Sequence, residues 1–222
     1  MNHRIFSCCA ALLASLLVGC SSAPPVPEWQ LNTQGALRDG VLAYLSGNDR
    51  VADAEFTRAR AEVAATGRAD LLARAELVRC AAQVASLAAD GCPAYRTLAA
   101  DAAAPERAYA QYLGGSWQGL AVADLPPQHR GVVAAGSDAA LAAIEDPLAR
   151  LVAAGALFQA GRLSPTGMAV ASDTASTQGW RRPLLAWLML QARRARDAGQ
   201  ADVAARLQRR IDLVSSGGVP AQ

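Results

Sequence analysis

The chain contains no lysine, so all 21 of its basic residues are arginines, set against 19 acidic residues. The formal net charge of +2 is too small for the broad basic surface that nucleic-acid binding requires. A lack of lysine beside abundant alanine is typical of codon usage in a GC-rich genome. We therefore expect no nucleic-acid partner and assign no function to the missing lysines.

Histidine is almost as scarce, since His129 is the only one that follows His3. A hydrolase triad needs a base beside its nucleophile, and a metal site needs clustered ligands, but the chain has neither a histidine pair nor a Cys-x-x-Cys spacing. The adjacent Glu145 and Asp146 give no specific support to glycosidase chemistry, because Asp146 is better suited to cap a helix. We expect no metal, no cofactor and no enzymatic activity, and a solvent-exposed His129.

Long apolar runs are also missing. The uncharged segment 5–18 is about 14 residues long, whereas a helix needs roughly 20 residues to cross a bilayer core. The amino terminus and Arg4 place positive charge in front of it, which is the layout of a secretory signal peptide. The segment is therefore predicted to be a cleaved signal and not a permanent transmembrane helix.

The signal ends in Leu17-Val18-Gly19-Cys20, which resembles the lipobox of bacterial lipoproteins. The resemblance implies that signal peptidase II cuts between Gly19 and Cys20 and that the Cys20 thiol receives a diacylglyceryl group. Acyl chains anchor a protein at about 0.8 kcal/mol per buried methylene. Ser21 stands where aspartate would signal inner-membrane retention, so the resemblance implies the outer membrane, facing the periplasm. The alternative is a chance cysteine after an ordinary signal peptide.

The predicted periplasmic compartment determines what we expect of the other cysteines. Cys8 and Cys9 leave with the signal, which leaves Cys80 and Cys92 as an even pair in an oxidising periplasm. We expect a disulfide between them, and two separate buried thiols are the alternative. Bridged Cα atoms lie about 4.4 to 6.8 Å apart, so the helix of Cys80 must end near Leu87 or the chain must double back towards Cys92.

From residue 34 onward, alanine-rich segments alternate with short Gly, Asp, Ser or Pro breaks, and no strand periodicity appears. Apolar stripes with helical spacing run along 51–65 and 71–85, and the second is wide enough to contact two neighbours. We predict an all-α fold of antiparallel helical hairpins. Helix starts are predicted at Asp146-Pro147, Ser164-Pro165 and Pro183, and a break between two helices at 198–200.

Residues 114–136 do not follow this pattern, since they hold five glycines, two adjacent prolines, Trp117 and His129. The glycine-rich start at 114–119 lacks the lysine of a phosphate loop and is predicted to be a turn. We predict a loop or linker that divides two sets of helices packed together and that could contain a short helix of its own, with a functional loop as the alternative. The predicted organisation is a signal peptide at 1–19, a lipidated N-terminus and tether at 20–30, helical sets at 31–113 and 137–216 on either side of the loop, and a tail at 217–222.

The region from about 35 to 66 is similar to a tetratricopeptide repeat, in which small residues lie where two helices cross closely. With Gly47 in the inter-helix turn, Gly40, Ala52, Phe56 and Ala59 occupy the Gly, Ala, aromatic and Ala signature positions. The Trp, Leu and terminal Pro of the motif are missing, and a second window at 184–214 matches less well. The resemblance implies a tetratricopeptide-like or irregular α-solenoid, and generic helical hairpins are the alternative.

The C-terminal end is the only part with an uneven charge distribution. Between 181 and 212, eight arginines stand against three aspartates, a balance of +5. Such a surface could contact an acidic partner or anionic headgroups, although a solvated helix face is the simpler interpretation. The candidate interaction residues are Trp117, Arg193, Arg194, Arg206, Arg209 and Arg210.

These features favour a non-enzymatic, membrane-anchored lipoprotein whose helical domain binds another envelope protein, as an adaptor or assembly factor. The first alternative is a small-ligand or lipid-binding module, in which residues 114–136 form a lid and Trp117 lines the cavity. An apolar pocket beside that segment would favour this alternative. The second alternative is an enzyme that acts on the cell wall or on lipid, for which few catalytic side chains are present.

Replacement of the lipobox cysteine tests the anchor. In cells grown with labelled palmitate, we expect Cys20→Ala to incorporate no label and to leave the membrane fraction, because the only proposed attachment atom is removed. Cys80→Ala is the matched control, and it should keep both the label and the membrane fraction. Unchanged labelling of Cys20→Ala would contradict the lipobox assignment.

Overall fold

The computed structural model describes residues 25–88 and 90–217, and this part of the chain contains helices and no strand. The predicted all-α class is therefore confirmed. The α-helices are α1 (Glu28–Ser46), α2 (Asp49–Ala64), α3 (Ala69–Ala85), α4 (Pro93–Arg96), α5 (Ala104–Leu113), α6 (Pro127–Ala135), α7 (Pro147–Gln159), α8 (Pro165–Thr177), α9 (Arg181–Asp197) and α10 (Ala201–Ser215). Short 3-10 helices lie at Val122–Asp124 and Asp138–Ala143.

Two helices begin where the sequence predicts a capping side chain followed by proline. The Asp146 carboxylate accepts a hydrogen bond from the Ala149 backbone N–H at the start of α7. The Ser164 hydroxyl likewise accepts hydrogen bonds from backbone N–H groups in the first turn of α8. The third predicted start is displaced, since α9 begins at Arg181 and Pro183 lies within its first turn. The break at 198–200 is confirmed between α9 and α10.

Helices α1 and α2 form a tight hairpin. Gly47 joins them with a backbone φ of 87°, a conformation that glycine adopts at no steric cost. A Cβ atom on Gly40 would lie 3.1 Å from the Phe56 ring, so the absence of a side chain at 40 lets the two helices approach closely. The positions that resemble the tetratricopeptide signature therefore occupy the contact between these helices, and the hairpin itself is confirmed.

Helix α3 is the central helix, as its wide apolar face predicts. It contacts α1, α2, α4, α5 and α7. At the crossing with α7, a Cβ atom on Gly155 would lie 2.7 Å from Val84 Cγ1, so only glycine fits at this point. At the end of α3, the indole N–H of Trp187 donates to the Ala85 carbonyl at 3.0 Å, which supplies a partner for a carbonyl that the helix leaves unpaired.

The pairing of Cys80 with Cys92 is confirmed, with Cα atoms 5.4 Å apart. Helix α3 ends at Ala85, and Leu87 adopts a φ of 56°, which turns the chain away from the helix axis. The early helix end is therefore the route by which Cys92 returns to Cys80, as the geometry of a disulfide requires.

Residues 114–136 contain short helices. The predicted turn at their start is present, with Gly115 at a φ of 75° against the backbone of residues 159 and 160. The remainder contains a 3-10 helix and α6, which starts at Pro127. Leu125 and Val132 are buried in the same core as helices on both sides of the segment, so the helices before and after it pack together.

The ends of the described chain bear on the predicted tether and anchor. Helix α1 begins at Glu28, directly after Pro27, so residues 28–30 of the predicted N-terminal segment belong to this helix. Cys20 and the lipobox lie outside the described residues, as do residues 218–222 of the predicted tail. Among the helices that the structure describes, none combines the length and the apolar character that crossing a membrane requires.

Two glycine substitutions, one at the α3–α7 crossing and one in α6, are predicted to have opposite effects on stability. Gly155→Ala should destabilise the fold by about 1 to 3 kcal/mol, because the added methyl group overlaps Val84. Gly131→Ala, in α6 with nothing within 4 Å of the new Cβ atom, should be neutral or stabilise by up to about 1 kcal/mol. Urea unfolding followed by circular dichroism measures both values. Equal stabilities of the two variants would contradict this account of the crossing.

Candidate functional site

A cavity of about 300 Å³ lies between helices α3 and α5, next to the turn that leads into α6. It is therefore beside the 114–136 segment, where the ligand-binding hypothesis places a pocket. Helix α3 contributes three residues at helical spacing, and α5 contributes one face of its first two turns. The lining residues are Arg74, Leu77, Val78, Pro105, Glu106, Tyr109, Asp124, Leu125 and Pro126.

Glu106 is the most unusual polar residue of this cavity, because it is only 4% exposed. Its Oε1 atom accepts a hydrogen bond from Arg74 Nε at 2.6 Å. Its Oε2 atom is fully buried and has no hydrogen-bond partner among the described residues. A buried oxygen without a partner costs about 1 to 3 kcal/mol, more for a charged group. This oxygen is enclosed by protein and does not face the open part of the cavity.

Tyr109 connects the cavity to a buried aromatic cluster. Its ring stacks on Tyr112 and His129, with centroid distances of 6.1 and 5.7 Å. The Tyr112 hydroxyl lies 3.3 Å from His129 Nδ1, within hydrogen-bond distance. Burial raises the pKa of both tyrosines far above the usual range, so both hydroxyls stay protonated. The inner wall of the cavity is thus rigid, aromatic and uncharged.

His129 is buried, with 1% of its surface exposed, so the expectation of a solvated histidine was wrong. The physical reason is the presence of α6, which places His129 and Val132 on one inward face at a spacing of three residues. Burial lowers the pKa of His129 to about 4, against a smaller raising effect of Asp146. The ring is therefore neutral at neutral pH and inaccessible to a substrate.

Trp117 does not line the cavity. It is partly buried and stacks on Tyr112 with a centroid distance of 5.5 Å, while its indole N–H donates to the Tyr112 carbonyl at 3.0 Å. The Arg162 guanidinium lies 5.4 Å above the indole ring. Trp117 is therefore a packing residue behind the aromatic cluster, and its assignment as a cavity wall was wrong.

The candidate arginines of the C-terminal hairpin lie on different sides of it. Arg193 borders an open groove of about 360 Å³ between α9 and α10, together with Met189, Leu190, Arg196, Gln208 and Ile211. Arg194 borders a separate groove of about 280 Å³ that α8 also lines. The other three lie exposed on α10, at Arg206, Arg209 and Arg210. The five candidate arginines therefore lie in one hairpin. Two of them border separate grooves, and the other three lie on the exposed face of α10.

The charges of these arginines are largely uncompensated. Arg193 lies 3.9 Å from Asp197, and both side chains are exposed. Within residues 25–88 and 90–217, the other four candidate arginines form no ion pair at 4 Å or less. The hairpin therefore presents a net positive surface.

Glu106 and Arg74 were not singled out by sequence analysis. Glu106 stands in the first turn of α5, where an acidic residue is ordinarily an exposed partner of the helix dipole. Asp138 was missed as well, although it accepts hydrogen bonds from the backbone of Ser164 and Gly167 at 3.0 Å, and these bonds and that of the Ser164 hydroxyl lower its pKa. Both roles depend on contacts between residues at least 26 positions apart.

No arrangement for metal binding is found in the described part of the chain, where no three His, Cys, Asp or Glu side chains are grouped to hold an ion. Comparison with protein families, with curated proteins and with solved structures found no match. The interpretation of the cavity and the hairpin therefore rests on their own chemistry.

The buried histidine predicts a pH dependence of stability. Because the pKa of His129 is about 4 in the folded chain and near 6.5 when unfolded, protonation favours the unfolded state, and stability falls as pH drops below about 6.5. Between about pH 7.5 and pH 5 the loss should be about 2 kcal/mol, at about 1.4 kcal/mol per pH unit. Urea unfolding at both pH values measures it.

The control for this effect is His129→Gln, which removes the titrating ring. The variant should be less stable at neutral pH but should lose most of the slope between the two pH values. Asp70 and Asp138 contribute little in this window, because lowered carboxylate pKa values make their titration fall below about pH 4. An unchanged slope in His129→Gln would show that another group titrates.

Proposed function

We propose that this chain is a lipid-anchored envelope lipoprotein whose helical domain binds a second envelope protein through the α9–α10 hairpin, as an adaptor or assembly factor. The observation that supports this proposal is the groove between α9 and α10, which apolar side chains, two arginines and a glutamine line together. The anchor itself rests on the lipobox resemblance at Cys20.

The apolar part of the hairpin surface is unusually exposed. Met189 is 58% exposed and Leu213 is 62% exposed, and they lie on α9 and α10, respectively. Ile211 and Leu190 form the partly buried floor of the groove between the two helices. Met189 lines the groove, and an exposed methionine beside partly buried apolar side chains is typical of a surface that a partner covers, because water contact with such side chains is unfavourable.

The positive charge of the hairpin favours an acidic partner. Arg193 and Arg196 border the groove, and residues 181–212 hold eight arginines against three aspartates. Arginine binds carboxylates in a bidentate geometry and tolerates burial in an interface better than lysine does. We propose an acidic amphipathic segment as the partner, with its apolar face towards Ile211 and its carboxylates towards the arginines.

The proposed anchor would hold the start of the domain close to the membrane. Seven residues, 21–27, separate Cys20 from α1, which begins at Glu28. In polyproline geometry seven residues would span roughly 20 Å, at about 3.1 Å each. A domain held at this range favours a partner that is itself attached to the membrane or assembled at it.

A photo-crosslinking amino acid in place of Met189, in the full chain in intact cells, tests the proposal. We expect one dominant protein adduct, and we expect Arg193→Glu with Arg196→Glu to reduce it at least about tenfold, because like charges would then face the acidic partner. Arg38→Glu is the matched control, since Arg38 is an exposed arginine on α1. It should leave the adduct unchanged.

Two results would contradict the proposal. A crosslink from position 189 that yields lipid adducts and no protein would assign the hairpin to the membrane surface. Adducts that persist unchanged after both charge reversals would show that the arginines do not select the partner.

A further inference from the structure

We infer that Met189 is a site of methionine oxidation, and that its conversion to the sulfoxide by a peroxide weakens the binding of the partner at the α9–α10 hairpin. The modification depends only on the exposure of this side chain, whereas its effect on binding rests on the proposed function. The groove between α9 and α10 would then be regulated by oxidants that reach the envelope.

Met189 carries the only exposed sulfur-containing side chain within residues 25–88 and 90–217. It is 58% exposed, whereas Met168 is 2% exposed. The remaining two sulfur atoms of this part of the chain belong to Cys80 and Cys92, which are buried and joined as a disulfide. A peroxide must touch the sulfur atom that it oxidises, so exposure selects Met189 over Met168.

The reaction is the transfer of one oxygen atom with two electrons. A lone pair of the Met189 sulfur attacks one oxygen of hydrogen peroxide, so that an S–O bond forms and the O–O bond breaks. The sulfur is oxidised and the peroxide is reduced. The departing oxygen takes up the proton of the transferred hydroxyl group and leaves as water. Methionine sulfoxide can be reduced again enzymatically, so the modification is reversible.

The sulfoxide changes the apolar part of the groove. Met189, Leu190 and Ile211 are the apolar residues that line it, and the proposed partner places its apolar face there. Oxidation turns the first of these side chains into a polar one. A sulfoxide oxygen covered by an apolar surface loses its contact with water and gains no donor from the partner, which is unfavourable.

Arg193 contributes a second effect in the same direction. It lies four residues after Met189 on α9, a spacing at which side chains are neighbours on a helix surface, and both residues line the groove. The sulfoxide oxygen is a hydrogen-bond acceptor, and a guanidinium is a strong, charged donor. A bond between them would occupy donors of Arg193 that the acidic partner is proposed to use.

Peptide mass spectrometry of the purified full chain in hydrogen peroxide tests the modification. In the folded chain, Met189 sulfoxide should form at least about tenfold faster than Met168 sulfoxide, because Met168 is buried. In urea, where both side chains are exposed, the two rates should agree within about twofold. Equal rates in the folded chain would overturn the inference.

A photo-crosslinking amino acid in place of Gln208, which lines the same groove, tests the effect on binding in intact cells while Met189 is kept. Treatment with hydrogen peroxide should reduce the protein adduct at least about fivefold. In Met189→Leu, which has no sulfur to oxidise at this position, the treated and untreated yields should agree within about twofold. Met168→Leu is the matched control, and its adduct should fall as in the unmodified chain.

Three outcomes in treated cells would overturn the inference and leave the proposed partner in place. They are an adduct that persists although Met189 is oxidised, a Met189 that stays unoxidised, and an equal loss of adduct in Met189→Leu. An absence of any protein adduct from position 208 in untreated cells would instead contradict the proposed partner. The effect on binding would fall with it, and the oxidation rates of the purified chain would still decide the modification.

Discussion

The close crossing of helix α3 with α7 is the contact on which the rest of the domain depends. Gly155 lies against the backbone and side chain of Val84, at a distance that excludes a methyl group. Because α3 also contacts α1, α2, α4 and α5, it connects the main core to the smaller hydrophobic cluster of the α1–α2 hairpin, to which Ala82 of α3 belongs. Trp187 adds to it, since its indole donates to the last carbonyl of α3 and connects α9 to the same point. An alanine-rich core has little side-chain volume to fill gaps, so the helices must pack closely.

The positions of the charged side chains are a consequence of this close packing. Helices that approach closely through alanine leave room for long side chains only at their margins, and arginines there reach glutamates on the neighbouring helix. Arg60 pairs with Glu76 across α2 and α3, and Arg74 pairs with Glu106 across α3 and α5. Arg74 and Glu106 are both lining residues of the cavity, so the contact that holds two helices together also forms part of the cavity wall. The aromatic cluster behind Tyr109 then supplies a wall that does not change its charge near neutral pH.

The α9–α10 hairpin and the cavity differ in charge and in exposure. The hairpin is exposed, and the described residues leave most of its arginines without an ion-pair partner, so it is the surface to which the proposed acidic partner would bind. The cavity is lined by two carboxylates and one guanidinium. The hairpin packs on α8 and α1 and bonds to the end of α3 through Trp187, so it shares one helix with the cavity.

The sequence by itself determined the local features. Helical spacing of Phe56 and Val63, the caps at Asp146 and Ser164, the turn at Gly47 and the pairing of Cys80 with Cys92 could all be predicted, because each depends on residues close in the chain or on a compartment inferred from the N-terminus. The tertiary structure decided what distant residues do to one another. It buried His129 by completing α6 against the core, moved Trp117 from a cavity wall to a packing position, and enclosed Glu106 Oε2 where no other described residue donates a hydrogen bond to it. Burial and desolvation depend on which helices meet, and no short-range pattern of residue types records that.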